Sequence, residues 1–318
     1  MRLLYLVPKT IYDTKMSRVR FQQVRAIGRL ASVHISGLGW PDWIDTATPL
    51  DNAHQIAATF SADLILSYKV RGLHGCRVPC AVSFNEAYDV DDVESEVHDG
   101  NARLVIFHHG NDLPRYQHWD ARGIMRVHIP HGADTDMFRD YGHEKNIDIL
   151  VVGNRNQSYY PLRYRLATLA QTYFARRAWR VVRLPHPGYT LPARDGTMVG
   201  ESYARMLNRA KLVFTCSMIY KYALAKYSEI GCARSVAVAD VPSERQAFFR
   251  ETILNVESWM TDAQICDIVE TALDPESGVL DPLLKHSYAR NLAESTLDLY
   301  AQRFIEAARE FLEGPRPC

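Results

Sequence analysis

The stretch I147-D-I-L-V-V-G-N-R-N156 is a short apolar run that stops at a glycine followed by polar side chains rich in hydrogen-bond donors. Such a run suits a strand buried on both faces, over Ile147–Val152, and a segment with helical spacing follows at about Leu162–Ala175. The same alternation continues with a strand at Arg180–Leu184, a helix at Ser202–Ala210, a strand at Leu212–Thr215, a helix at about Leu224–Ile230 and a strand at Ser235–Ala239. Toward the N-terminus, Leu3–Val7, Val33–Ser36, Leu64–Ser67, Ala81–Phe84, Leu104–Phe107 and Val127–Ile129 read as strands, with a helix at about Arg18–Leu30. Apolar runs alternating with helical segments imply an α/β protein with parallel sheets.

The length of 318 residues points to two domains, at roughly 100–200 residues each. The restart of the pattern after Pro130 sets the expected boundaries: an N-terminal domain over 1–131, a second over 132–282, and a C-terminal helix over 283–318 that packs back toward the first. Within that last segment, Pro282–Leu312 carries apolar positions spaced for one long amphipathic helix. The 37 basic and 37 acidic residues cancel, which argues against a protein that relies on counterion release from nucleic acid. The six cysteines, Cys76, Cys80, Cys216, Cys232, Cys266 and Cys318, are scattered and read as reduced thiols; the close pair Cys76 and Cys80 lacks a second half-site for zinc. The opening MRLLYLVPK breaks at Pro8 and Lys9, too early for a secretory core, and no run approaches the roughly 20 apolar residues of a membrane helix. A cytoplasmic location is expected.

In open α/β sheets ligands bind beyond the carboxyl ends of the strands, so the residues just after each apolar run carry the information. Here they include Lys9, Asn85, Glu86, His108, His109, Asn111, Gly153, Asn154, Arg155, His186 and Ser217. Turns use such residues everywhere, but the number of cationic and imidazole groups points further. Gly153 permits close backbone approach, and Asn154 and Arg155 present donors where a diphosphate fits. Lys221 and Lys226 lie before or in the helix that follows the Thr215 strand, where its N-terminus adds partial positive charge. Lys221 also reads as a solvated lysine, and Lys226 as the partner of Glu229 on the same helix.

The segment I129-P-H-G-A-D-T-D-M-F138 resembles the linker of retaining GT-B glycosyltransferases, and I149-L-V-V-G-N-R-N156 is similar to the strand and loop that open their nucleotide-sugar domain. The stretch Tyr203–Cys232 resembles most closely the spore-maturation (CgeB-like) group. The resemblance implies two Rossmann-like domains facing a cleft and a metal-independent, retaining transfer of a sugar from a UDP- or GDP-linked donor, with no further cofactor. It implies a donor site of Gly153, Asn154, Arg155, His186, Ser217, Tyr220, Lys221, Lys226 and Glu229. Glu229 aligns with the second glutamate of the group's E-x7-E motif, which accepts hydrogen bonds from the donor ribose. Lys221 stands where the first glutamate would be, and this departure suggests a contact to phosphate instead.

The first domain is then expected to supply catalytic contacts from His109 and Glu86, with Lys9, Asn85, His108 and Asn111 on the acceptor side. An imidazole suits a contact to sugar or acceptor because its ordinary pKa lies near 6.5. Asp89, Asp91, Asp92, Glu94 and Glu96 read as a solvated acidic loop rather than a metal site. In the early loop, Lys9, Lys15, Arg18 and Arg20 either replace a glycine-backbone phosphate cradle or face water. The acceptor is expected to be a glycan, a small molecule or a protein, with nucleic acid disfavoured. Two other functions fit the same residues: a nucleotide-sugar epimerase or hydrolase, and a non-catalytic nucleotide- or sugar-binding protein.

Overall fold

The computed structural model describes residues 1–314. They form two compact units: Met1–Pro130 with Tyr189–Pro192 and the chain from Asp298 onward, and His131–Gly188 with Ala193–Leu297.

The first unit runs β1 (Arg2–Leu6), α1 (Lys9–Thr14), α2 (Val19–Ile27), β2 (Ser32–Ser36), α3 (Pro49–Phe60), β3 (Leu64–Ser67), β4 (Cys80–Phe84), α4 (Val90–Asp99), β5 (Ala102–Phe107), a 3-10 helix (Gly110–Arg122) and β6 (Met125–His128). Its six strands are ordered β2-β1-β3-β4-β5-β6, and every pairing is parallel. The second unit runs β7 (Ile147–Val151), α5 (Pro161–Thr172), β8 (Val181–Arg183), α6 (Gly200–Asn208), β9 (Ala210–Phe214), α7 (Ala225–Cys232), β10 (Val236–Ala239), α8 (Gln246–Thr252), β11 (Leu254–Asn255), α9 (Asp262–Leu273) and α10 (Leu280–Glu294). Its sheet is ordered β11-β10-β9-β7-β8, again all parallel. Strands such as β3, β4 and β10 are buried at every residue because helices cover both faces, which is why they read as unbroken apolar runs. One apolar layer joins Ile149, Leu166, Phe174 and Val269, and the opposite one Leu150, Leu207, Ile230 and Phe249.

Two expectations change. The acidic run is helical: Asp89 caps α4 by accepting from the Asp92 amide, Asp91 and Asp92 sit in the first turn, and Val93 and Val97 are buried. Carboxylates at a helix N-terminus are favoured by its dipole, so this acidity marks a helix start. The segment Pro282–Leu312 is two helices, α10 and α11 (Leu297–Glu313), and residues 315–318 of the expected C-terminal helix, including Cys318, lie outside the described residues.

The break between α10 and α11 has a backbone cause. Ala133 donates its N–H to Ser295 O at 2.8 Å and accepts from Leu297 N at 2.9 Å, so the chain leaves the helical path to pair as a short parallel bridge. Gly132 makes the approach feasible, because a Cβ there would lie 2.3 Å from Thr296 O. Both partners are backbone, so no side-chain rotation relieves that clash. Gly132→Ala is therefore expected to destabilise the second unit by about 1–3 kcal/mol, the usual cost of overpacking. A urea unfolding midpoint measures it; an unshifted midpoint would mean that this approach is not maintained.

Candidate functional site

In the second unit the carboxyl ends of β7, β8, β9 and β10 bring one set of charged groups together. Gly153, just past β7, has φ +87°, a backbone region that side chains rarely adopt, and a Cβ there would meet Arg163 Nη1 at 2.9 Å and Lys226 Cε at 3.2 Å. Arg163 comes from the first turn of α5 and is 1% exposed. Its Nη1 donates to Asn154 O and its Nη2 to Cys216 O, both at 3.0 Å, and its guanidinium lies 4.2 Å from the centre of the Tyr160 ring. No carboxylate among the described residues pairs with it. A buried guanidinium offset only by carbonyl dipoles leaves positive potential at the loop it supports.

Lys226, in the first turn of α7, is half-buried, with its ammonium 5.4 Å from the centre of the Tyr203 ring. Burial holds its pKa below the usual lysine range, with Glu229 opposing that shift and Arg163 adding to it. Burial raises the Glu229 pKa in turn, and Lys226 pulls it back. The two groups therefore sense each other, yet no hydrogen bond or ion pair joins them among the described residues. His186, beyond β8, accepts the Gly188 N–H at Nδ1 (3.1 Å), which assigns the proton of the neutral ring to Nε2. Its pKa is lowered by burial and then by Lys226, Arg194 and Arg163, so it belongs to the same cluster. Asn154 Oδ1 accepts from the Asn156 amide, and Arg155 is exposed.

The other expected donor residues have partners of their own. Ser217 is fully buried; its hydroxyl donates to Asp240 Oδ2, and its amide to Oδ1. Lys221, in the left-handed region at φ 55°, places its ammonium 2.7 Å from Asp240 and 3.2 Å from Glu257. Burial works against its charge, but the hydrogen bond and charge of Asp240, aided by Glu257, hold its pKa above the ordinary value. The half-buried Tyr220 stacks on Tyr222 at 5.5 Å. Arg163 is the group that sequence reasoning missed. Its signal is a charged residue on the buried face of α5, four positions before Ala167 and among Leu162, Leu166 and Ala170.

In the first unit, Glu86 follows β4 and His109 follows β5. Crowding by the surrounding protein raises the Glu86 pKa; His109 and Lys15 oppose the shift, and Asp112 adds to it. His109 is buried and precedes the 3-10 helix, and its carbonyl accepts the Asp112 amide. Asp112, itself buried, accepts the Ala87 amide. Asn85 and Asn111 are half-buried nearby in sequence, and Lys9 pairs with Asp13 at 2.5 Å. His108 is a core group: it is fully buried, its Nδ1 bonds Ile129 O at 3.0 Å, and its ring lies 5.5 Å from Tyr300 of α11. Among the described residues, no set of three or more His, Cys, Asp and Glu side chains is arranged to hold a metal ion. None of the helices there is long and apolar enough to cross a membrane.

No protein-family model matches the chain, and no curated protein sequence matches it. Solved structures do. A glycosyltransferase from Rickettsia africae ESF-5 superposes with a TM-score of 0.64 at 13% identity over 99% of both chains. The Anabaena protein Alr3699/HepE in complex with UDP and glucose gives 0.64 at 11% over 98% of this chain and 100% of that one. An alpha-glucosyltransferase in complex with UDP and a 13-mer DNA containing a HMU base gives 0.60 at 9% over 97% and 99%. The chain thus has the GT-B fold of glycosyltransferases, with its two parallel Rossmann-like sheets.

His108 supplies a test of the first unit's interior. Burial, followed by the charge of Arg20, lowers its pKa to about 3, against the ordinary 6.5. The folded ring resists a proton that the unfolded ring accepts, so its stabilising contribution is present above pH 6.5 and is lost as pH falls toward 3. Between pH 7 and pH 5 the wild type should lose about 2 kcal/mol more than His108→Gln, at about 1.36 kcal/mol per pH unit below the unfolded pKa. Denaturant unfolding at both pH values reads the difference. Equal acid sensitivity would contradict a neutral, buried His108.

Proposed function

We propose that the chain is a glycosyltransferase that binds the diphosphate of a UDP- or GDP-linked sugar in its second unit. The observation that carries this reading is the convergence of Arg163 and Lys226 on the side-chain-free face of Gly153. A fixed guanidinium and an ammonium with no ion-pair partner among the described residues, beside a backbone stripped of Cβ, form a receptor for a compact anion. The solved structures of the same fold that hold UDP support the choice of ligand.

In this reading the chemistry follows from charge. As the bond from the sugar's anomeric carbon to phosphate oxygen breaks, negative charge grows on the departing diphosphate. Arg163 and Lys226 are already in place, so little reorganisation is needed when that charge appears. They supply the stabilisation that a divalent ion would otherwise give, which is the basis for proposing metal independence. His186, whose pKa is lowered by burial and by the same two cations, is a candidate neutral donor to the diphosphate. Glu229 accepts hydrogen bonds from the ribose hydroxyls, and Lys226 beside it opposes the burial that would otherwise neutralise the carboxylate. Ser217, Lys221, Asp240 and Glu257 hold the loops after β9 and β10. Glu86 and His109, past the ends of β4 and β5, are the candidates for acid–base contact with the acceptor hydroxyl. Retention of configuration and nearest kinship with the spore-maturation group belong to the same proposal, resting on Ile129–Phe138 and Tyr203–Cys232.

Calorimetry separates the phosphate contact from general damage. Lys226→Gln should weaken UDP or GDP by roughly tenfold or more, the loss of one charge-assisted hydrogen bond, while changing affinity for the bare nucleoside by less than about twofold. Equal losses for diphosphate and nucleoside would remove Lys226 from the phosphate site. Turnover of the cognate donor should survive EDTA; loss of activity restored by a divalent cation would reject the metal-free reading.

A further inference from the structure

The loop before β4 carries a feature that the donor and acceptor sites do not use. Cys76 and Cys80 are separated by three residues, and Cys76 packs against the apolar cluster to which Cys80 belongs, while the Cys80 thiol donates to Val78 O at 3.4 Å. Cys80 opens β4, is 1% exposed, and is paired to Ile65 and Ala102 in the sheet. Cys76 is partly exposed, and its backbone is held by its own N–H to Leu73 O at 2.9 Å and by Asn101 Nδ2 to its carbonyl at 3.4 Å. Between them, Arg77, Val78 and Pro79 form no helix or strand, so this connection can absorb the closer approach of two sulfurs. The imidazole of His54, from α3, accepts the Arg77 amide at Nε2 (3.1 Å) and acts on Cys76 as well.

From this geometry we infer that Cys76 and Cys80 form a reversible dithiol–disulfide site, with Cys76 as the attacking sulfur and Cys80 as the resolving one. The local electrostatics agree with that order. The neighbouring Cys80 thiol, helped by the Val78 backbone and His54 against the cost of burial, lowers the Cys76 pKa to about 6. The interaction with Cys76, together with burial, raises that of Cys80. A thiolate at neutral pH therefore sits on the accessible partner.

The oxidant is a low-molecular-weight disulfide such as glutathione disulfide. The Cys76 thiolate attacks one of its sulfurs, the S–S bond breaks, and one glutathione thiolate leaves, giving a mixed disulfide on Cys76. Cys80 then loses its thiol proton to solvent and attacks the Cys76 sulfur, closing the Cys76–Cys80 bond and expelling a second glutathione thiolate. The protein pair gives up two electrons and two protons, and glutathione disulfide becomes two thiols. Because Cys80 begins the strand that ends just before Asn85 and Glu86, the bond would tether one end of an element whose other end carries candidate site residues.

The test uses the full chain, exposed to glutathione disulfide, alkylated, and digested with trypsin, which cuts after Arg77 and so separates the two cysteines. The expected product is the peptide ending at Arg77 joined by a disulfide to the peptide beginning at Val78, released by dithiothreitol. In Cys80→Ser the reaction should stop at the mixed disulfide, with roughly tenfold more glutathione on Cys76 than in wild type. The wild-type measurement needs no variant to fold. A pair that stays fully alkylatable, a glutathione adduct that persists on wild-type Cys76, or a link from Cys76 to a different cysteine would each overturn the assignment.

Discussion

A guanidinium buried without a carboxylate is the constraint around which the second unit is organised. Removing such a charge from water costs several kcal/mol unless its donors find acceptors; Arg163 Nη1 and Nη2 find the carbonyls of Asn154 and Cys216, while its buried Nε has no acceptor among the described residues. Those carbonyls belong to the loops after β7 and β9, adjacent strands in the sheet. One side chain therefore fixes the spacing of both loops, and Tyr160 covers its outer face. Gly153 is dictated by the same requirement, because any Cβ would collide with the group that holds the loop. An arrangement that is costly for the empty protein becomes favourable when an anion occupies the loop, which links the fold's energetics to the proposed diphosphate.

A second charge network, anchored on the buried Asp240, orders the neighbouring loops. Asp240, after β10, accepts from the Ser217 hydroxyl and amide and pairs with Lys221; Glu257, past β11, accepts from Lys221 and the Val241 amide. Tyr227 of α7 donates to the Asp240 carbonyl, so the helix that carries Lys226 and Glu229 is tied into this network. The two networks divide the work. One orders the loops through internal ion pairs, while the other leaves Arg163 and Lys226 without anionic partners among the described residues.

The sheets were legible because parallel strands covered on both faces must be continuously apolar, and every strand expected from such a run is present. Gly153, His186, Glu86 and His109 lie past the ends of β7, β8, β4 and β5, as the strand-end rule expects, since topology sets the position of the residues beyond each buried strand. Composition misled where one residue type serves two ends: the acids of 89–96 look like a solvated loop but begin α4. The split of the C-terminal helix was hidden because its cause, the pairing of Ala133 with Ser295–Leu297, is far away in sequence. His108 and His109 are neighbours in the chain, yet only the fold shows that His108 bonds Ile129 in the core. Arg163 escaped notice because it sits in a helix rather than after a strand, although a charge among leucines on a buried face was there to be read.

The most direct measurement is a crystal structure of the chain grown with a UDP- or GDP-linked sugar. The predicted result is a diphosphate against Gly153, within hydrogen-bond distance of Arg163 Nη1 or Lys226 Nζ, with the ribose hydroxyls at Glu229. A nucleotide bound with its phosphates elsewhere, or with Arg163 and Lys226 facing its base, would contradict it.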